Sequence, residues 1–229
     1  MTAISQNPGK YVFGIIGILM LLFLISLIGS GWFLGLLGLT AINANVFFTS
    51  RMLYWLCLGL LWLYSIKVEK QHILIWQERH YTFLNYLLSV VVIFLVLIAG
   101  MFLLQLIILF TGLNNHSKTL HEIVNILKAN KGLLVFTALT AGVVEEFIMR
   151  GYIQPRLEII FKNPNAAIII SSLLFGLLHY KYGTIVNVIG PVFIGLVFAV
   201  YYWKFRNIKV IIVCHFLWDL VSLLIMKVH

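Results

Sequence analysis

The residues of this chain with chemistry to offer are carboxylates and imidazoles placed inside apolar sequence. Glu145, Glu146 and Arg150 close a run that is otherwise uncharged from Gly132, His179 ends a second apolar run, and His215 and Asp219 lie four apart in a third. A charge at the centre of a membrane-spanning helix costs roughly 2.5 to 3.5 kcal/mol on insertion scales, so such residues are kept for a purpose. A carboxylate can take a proton from water, an acid can protonate a leaving amine, and hydrogen-bond donors can hold an oxyanion; together these are the parts of a hydrolysis. Two histidines and a carboxylate could instead hold zinc, with Glu145, His179 and His215 as candidate ligands. The histidines are on different helices and not in HExxH spacing, which leaves both chemistries open.

Helical spacing sorts these groups further. Glu146 and Arg150 share a face and can pair, with glutamate N-terminal to arginine in the better orientation. Glu145 is turned about 100° away around the axis. His215 and Asp219 also share a face, so the carboxylate, the only aspartate in the chain, can orient the imidazole. Ala138, Ala141 and Gly142 would let neighbouring helices approach closely just before the glutamates.

The elements that must position these residues are membrane helices. Hydrophobic residues make up 62% of the 229 and charged residues 10%, against about a quarter charged in soluble domains. The composition predicts an all-α, polytopic membrane bundle of about seven to eight transmembrane helices around an intramembrane active-site cavity, a single embedded domain over residues 1–229. Seven runs are legible: Tyr11 to Gly29, Met52 to Ile66, Phe83 to Thr111, Gly132 to Arg150, Ala166 to Tyr180, Thr184 to Trp203 and Ile208 to Met226. The glycine-rich stretch from Ser30 to Ser50 is open between a span, a re-entrant piece and an interfacial segment. Leu120, Ile123, Val124 and Leu127 predict an amphipathic helix in the interface. The first run reads as an anchor rather than a cleaved signal, and Cys57 and Cys214 as packed thiols.

With seven spans and the N-terminus inside, Lys10, Lys67, Lys70, Arg79, Arg150, Arg156, Lys162, Lys204, Arg206 and Lys209 are inner, and Arg51, Lys118, Lys128, Lys131, Lys181 and Lys227 outer. The formal charge of +9 is then a topology signal and an attraction to anionic lipid, and argues against nucleic acid as a partner. By helical rise Glu145 comes about 10 Å from the inner face and His179 about 20 Å, a mismatch that is removed if the fifth helix is tilted or starts deeper, or if the fourth runs on beyond Arg150 towards Pro155.

The ordered set Glu145-Glu146-x-x-x-Arg150, Phe175-x-x-x-His179 and His215-x-x-x-Asp219 resembles the CPBP intramembrane metalloprotease family, also called the Abi or type II CAAX prenyl endopeptidase family. The motif-bearing part is about 132–226. The resemblance implies a glutamate-dependent endopeptidase that opens into the membrane from the cytoplasmic side, with Glu145 and His179 activating a water and His215 and Asp219 stabilising the oxyanion. Relatives that process prenylated proteins have asparagine at the last position. An ionised Asp219 cannot donate, so it would have to be protonated or merely orient His215. Glu146 and Arg150 are supporting residues, the substrate is a lipidated or hydrophobic peptide or protein, and the setting is a cell membrane, bacterial plasma membrane in particular. Bacteriocin self-immunity, with or without proteolysis, is the alternative. A proton-coupled carrier is the third reading; against it, the two halves show no internal repeat and the six intramembrane ionisable residues all lie in the second.

Overall fold

Long apolar stretches, several of them opened by a polar cap, dictate the architecture of the protein, whose computed structural model describes residues 8–28, 31–36, 38 and 41–226. The order is α1 (Pro8–Leu27), α2 (Gly31–Leu36), α3 (Ala44–Tyr64), α4 (Phe83–Thr111), α5 (Lys118–Ala129), α6 (Lys131–Thr140), α7 (Gln154–Phe161), α8 (Pro164–Leu177), α9 (Val186–Phe205) and α10 (Ile208–Ile225). Among the described residues every regular element is helical. Asn43, Thr82, Ser117, Asn163 and Asn207 each accept a hydrogen bond from a backbone N–H of the helix that they begin, satisfying donors that the first turn leaves free.

Among the described residues six helices are long and apolar enough to cross a membrane: Pro8–Leu27, Ala44–Glu69, Phe83–Thr111, Lys131–Phe161, Val186–Phe205 and Ile208–Ile225. The remaining run, Ala166 to Tyr180, holds α8, whose 14 residues reach only about 21 Å. Of the stretch 30–50, the described part holds the 6-residue α2 and the first turns of α3, with no spanning helix; Ser30 and part of its connection fall outside the described residues. The second span is therefore longer than Met52 to Ile66, because Ala44 to Arg51 is helical although its polar residues break the hydropathy run. The amphipathic α5 forms where its spacing predicts, burying Val124 and Leu127.

The fourth span is the one that carries the glutamates. It runs unbroken from Lys131 to Phe161, past both Arg150 and Pro155. Between α6 and α7 it widens into π-helical turns at Ala141–Glu145 and Phe147–Ile153. A proline inside an α-helix removes one hydrogen bond and crowds the preceding turn, and widened turns are where a helix accommodates such a break, often at functional sites. In an apolar 18-residue stretch of this span 61% of the residues are buried inside the protein, against 17% in that of α4. The span sits between α1, α3 and α8 on one side and α4, α9 and α10 on the other. Gly142 lets α10 come close: a Cβ there would lie 2.8 Å from the Ile212 carbonyl oxygen and 2.9 Å from the Phe216 nitrogen.

Candidate active site

The two adjacent glutamates face different surroundings. Glu146 points into the bundle and is fully buried. One of its oxygens accepts from Arg150 Nη1 at 2.8 Å and from His215 Nδ1 at 2.7 Å. The Arg150 guanidinium, also fully buried, lies over the Phe175 ring with 4.4 Å to the centroid. Glu146 thus ties its own helix to α10, and the i,i+4 pairing read from the sequence is present.

Glu145 is half-buried and lines a cavity of about 60 Å³ with Arg51, Tyr54, His179 and Tyr182. That volume holds a small cluster of waters. His179 Nδ1 lies 2.9 Å from the Phe175 carbonyl oxygen. A carbonyl only accepts, so Nδ1 carries the proton, and in the neutral ring Nε2 keeps its lone pair. Burial pushes the Tyr182 phenol up to about 12, Arg51 opposing and Glu145 adding to the shift, so it remains a hydroxyl. A second cavity of about 120 Å³ continues from the first through Arg51, Tyr54, Leu178, His179 and Tyr182 towards α5 and the ends of α1 and α3.

The depth mismatch is resolved by the longer helix. From Phe161 back to Glu145 is about 24 Å, and from Pro164 to His179 about 22 Å, at 1.5 Å per residue. The two helices are joined by Lys162 and Asn163 alone, so both residues reach the same level. His179 belongs to the turn after α8 rather than to a span. His215 is only about 10 Å into α10, yet it meets Glu146, because α10 starts inside the fold at the buried Asn207 and Ile208.

The remaining candidates meet different partners. The nearest approach of His215 to Asp219 is 3.7 Å, from Nε2 to Oδ2, beyond hydrogen-bond length; the imidazole is oriented by Glu146 instead. Asp219, about a third exposed, lies within electrostatic range of His215, Glu145 and His179. The zinc set Glu145, His179 and His215 does not converge. Among the described residues no group of three or more His, Cys, Asp or Glu is placed to hold a metal ion, and both ring nitrogens of His215 face carboxylates.

Sequence reading missed several ionisable groups inside the bundle. Arg156, counted as an inner loop residue, is fully buried and bonds Glu69 through Nε at 2.9 Å, the hydroxyl of Ser65, and the backbone oxygens of Tyr152 and Ile73. Tyr152 donates to the same Glu69. This cluster fastens the 65–73 segment to the site-bearing helix. Arg51 and Lys181, counted as outer residues, and Tyr54 and Tyr182 were likewise given no part in the site, yet all four line the cavities. Phe47 and Tyr54 flank Arg51 at helical spacing, and that is the signal that marks it.

The cavities open at the end of the bundle where α1 ends and α3 begins. Lys118, Lys128, Lys131 and Lys181 lie at this mouth end, with Arg51 one helix turn or two inside. Lys10, Lys67, Lys70, Arg79, Lys162, Lys204, Arg206 and Lys209 lie at the other end; Lys227 is outside the described residues. The mouth is thus at the end poorer in basic residues, whereas the resemblance implies a cytoplasmic opening.

Residues 129–221 match the family model described as type II CAAX prenyl endopeptidase Rce1-like. No curated protein and no solved structure matches the chain. The matched stretch holds both glutamates, Arg150, both histidines and Asp219, and leaves the Arg51-bearing half uncovered. The stretch that carries the three motifs is accordingly similar to the Rce1-like type II CAAX prenyl endopeptidases, the family that the motif order resembles.

Proposed function

We propose that the protein is an intramembrane endopeptidase of the CAAX-processing type that hydrolyses a peptide bond in a lipidated or hydrophobic substrate. The observation that carries this reading is the small cavity lined jointly by Glu145 and His179, in a stretch similar to a peptidase family. Water held there gives a proton to the Glu145 carboxylate as its oxygen attacks the scissile carbonyl carbon. His179, pinned by its Nδ1–H to the Phe175 carbonyl, holds that water through Nε2. The Tyr182 hydroxyl lines the same cavity and is the donor for the tetrahedral oxyanion. When the C–N bond breaks, Glu145 returns the proton to the departing amine, leaving a carboxylic acid and an amine that become carboxylate and ammonium by proton exchange. Glu146, Arg150 and His215 act by holding the helix that presents Glu145. Purified protein in vesicles, offered prenylated CAAX peptides and short hydrophobic pro-peptides, should cut a defined bond in at least one of them. A panel left intact but bound would turn the reading towards a non-catalytic role.

The positive-inside bias places the basic end in the cytoplasm, and so the mouth on the opposite face of the membrane. Cys57 and Cys214 are buried, which makes single introduced cysteines readable. Lys118→Cys should react with an impermeant maleimide on intact cells, and Lys209→Cys only after lysis. The reverse pattern would put the mouth in the cytoplasm.

A further inference from the structure

Among the described residues two cations in the larger cavity have no anionic partner. Arg51 is half-buried, its guanidinium stacked over the rings of Tyr54 at 4.5 Å and Phe47 at 4.9 Å. Its polar contacts are to hydroxyls, Nε reaching that of Ser50 over a long 3.4 Å and the Tyr54 phenol lying beside it. Among the described residues no carboxylate comes within 4 Å of it. An arginine near a helix end ordinarily snorkels to the interface; this one is folded back against two rings and faces both cavities. Lys181 lines the same space from the opposite wall. Its Nζ is out of contact with solvent and has no hydrogen-bond partner, and burial lowers its pKa from the ordinary lysine value. An unpaired buried ammonium is costly, and a carboxylate on Arg51 is the stronger, charge-assisted kind of contact.

We propose that Arg51 and Lys181 form a carboxylate-binding subsite that receives the free C-terminus of the peptide whose bond lies at Glu145. This rests on the hydrolytic reading above. Arg51 and Glu145 line one cavity of about 60 Å³, so the anion is held only a short peptide's length from the attacked carbonyl. The enzyme therefore cuts near the C-terminus, and the aromatic stack on Arg51 fixes the plane in which the carboxylate docks. A side-chain carboxylate close to the cut offers the same chemistry and is separated from the C-terminus by the test.

The full chain in phosphatidylcholine vesicles is offered one hydrophobic peptide in three forms: free acid, C-terminal amide, and amide with a glutamate in the penultimate position. The wild type should cleave the free acid with a kcat/KM about 10- to 100-fold above the amide, the range for a hydrogen bond to a charged group. Arg51→Gln and Lys181→Gln should each bring the free acid down towards the amide. Recovery of the amide by the added glutamate would assign the subsite to a side chain and overturn the C-terminal assignment. Equal cleavage of acid and amide by the wild type, or an equal loss on both peptides in the variants, would overturn the subsite itself. Binding of acid and amide to Glu145→Gln protein separates this proposal from the hydrolytic one. A preference for the acid that Arg51→Gln abolishes supports the subsite even where nothing is cut, and equal binding rejects it.

Discussion

Glu145→Gln should lower the turnover of a cleaved peptide by about 100- to 10,000-fold, the usual contribution of a positioned general base, with little change in melting temperature. Glutamine keeps the size and polarity of the side chain but cannot take a proton from water. Glu145 is half-buried on a cavity wall and has no hydrogen bond to another part of the fold among the described contacts, so little structure depends on its charge. The check is single-turnover cleavage together with thermal unfolding in the same vesicles. A large fall in stability, or turnover within a few-fold of wild type, would refute the assignment.

The neighbouring glutamate should behave in the opposite way. Glu146→Ala removes the acceptor shared by Arg150 and His215 and strands a fully buried guanidinium. Breaking one side of a buried pair typically costs about 3–5 kcal/mol, and here the loss also unties α10 from the site-bearing helix. Glu146→Ala should therefore lower unfolding midpoints sharply and lose activity through misplacement. Pairing Glu146→Leu with Arg150→Met should recover much of the stability, because apolar replacement of a whole buried pair is often neutral or better. A double variant as unstable as the single one would mean that the pair is not the source of the loss.

The contrast between the two glutamates shows what the sequence could and could not convey. The i,i+4 rule paired Glu146 with Arg150 correctly because both lie on one helix, where spacing fixes geometry. It also paired His215 with Asp219, but there tertiary packing supplied a nearer acceptor, Glu146, from another helix. The run of the helix towards Pro155 was legible only as one way to remove the depth mismatch, and the widened turns around Glu145 were out of reach of a 3.6-residue period, as was the burial of Arg156. His179 was read as part of an apolar run; the structure sets it in the turn that follows a short helix, at the level of Glu145. Arg51 and Glu69 were missed because each sits at the ragged end of an apolar stretch, where hydropathy counts them as boundary residues.

The bundle as a whole was legible from composition. Its all-helical character, the amphipathic α5 and the close approach at Gly142 follow from apolar run length, helical periodicity and residue size. The count of spans was less so, since α8 is shorter than a membrane is thick and is covered on its inner face by α9 and α7.

The most direct measurement is the mass of the first-turnover product when excess wild-type enzyme in vesicles meets a cleavable peptide in oxygen-18 water. If Glu145 activates water for direct attack, the peptide is cut and its new carboxylate carries one heavy oxygen from the first turnover onward. A panel of lipidated and hydrophobic peptides left uncut, or a first-turnover product without label and a heavy oxygen found in Glu145, would contradict it; the second pattern would mean that the carboxylate itself attacks the peptide.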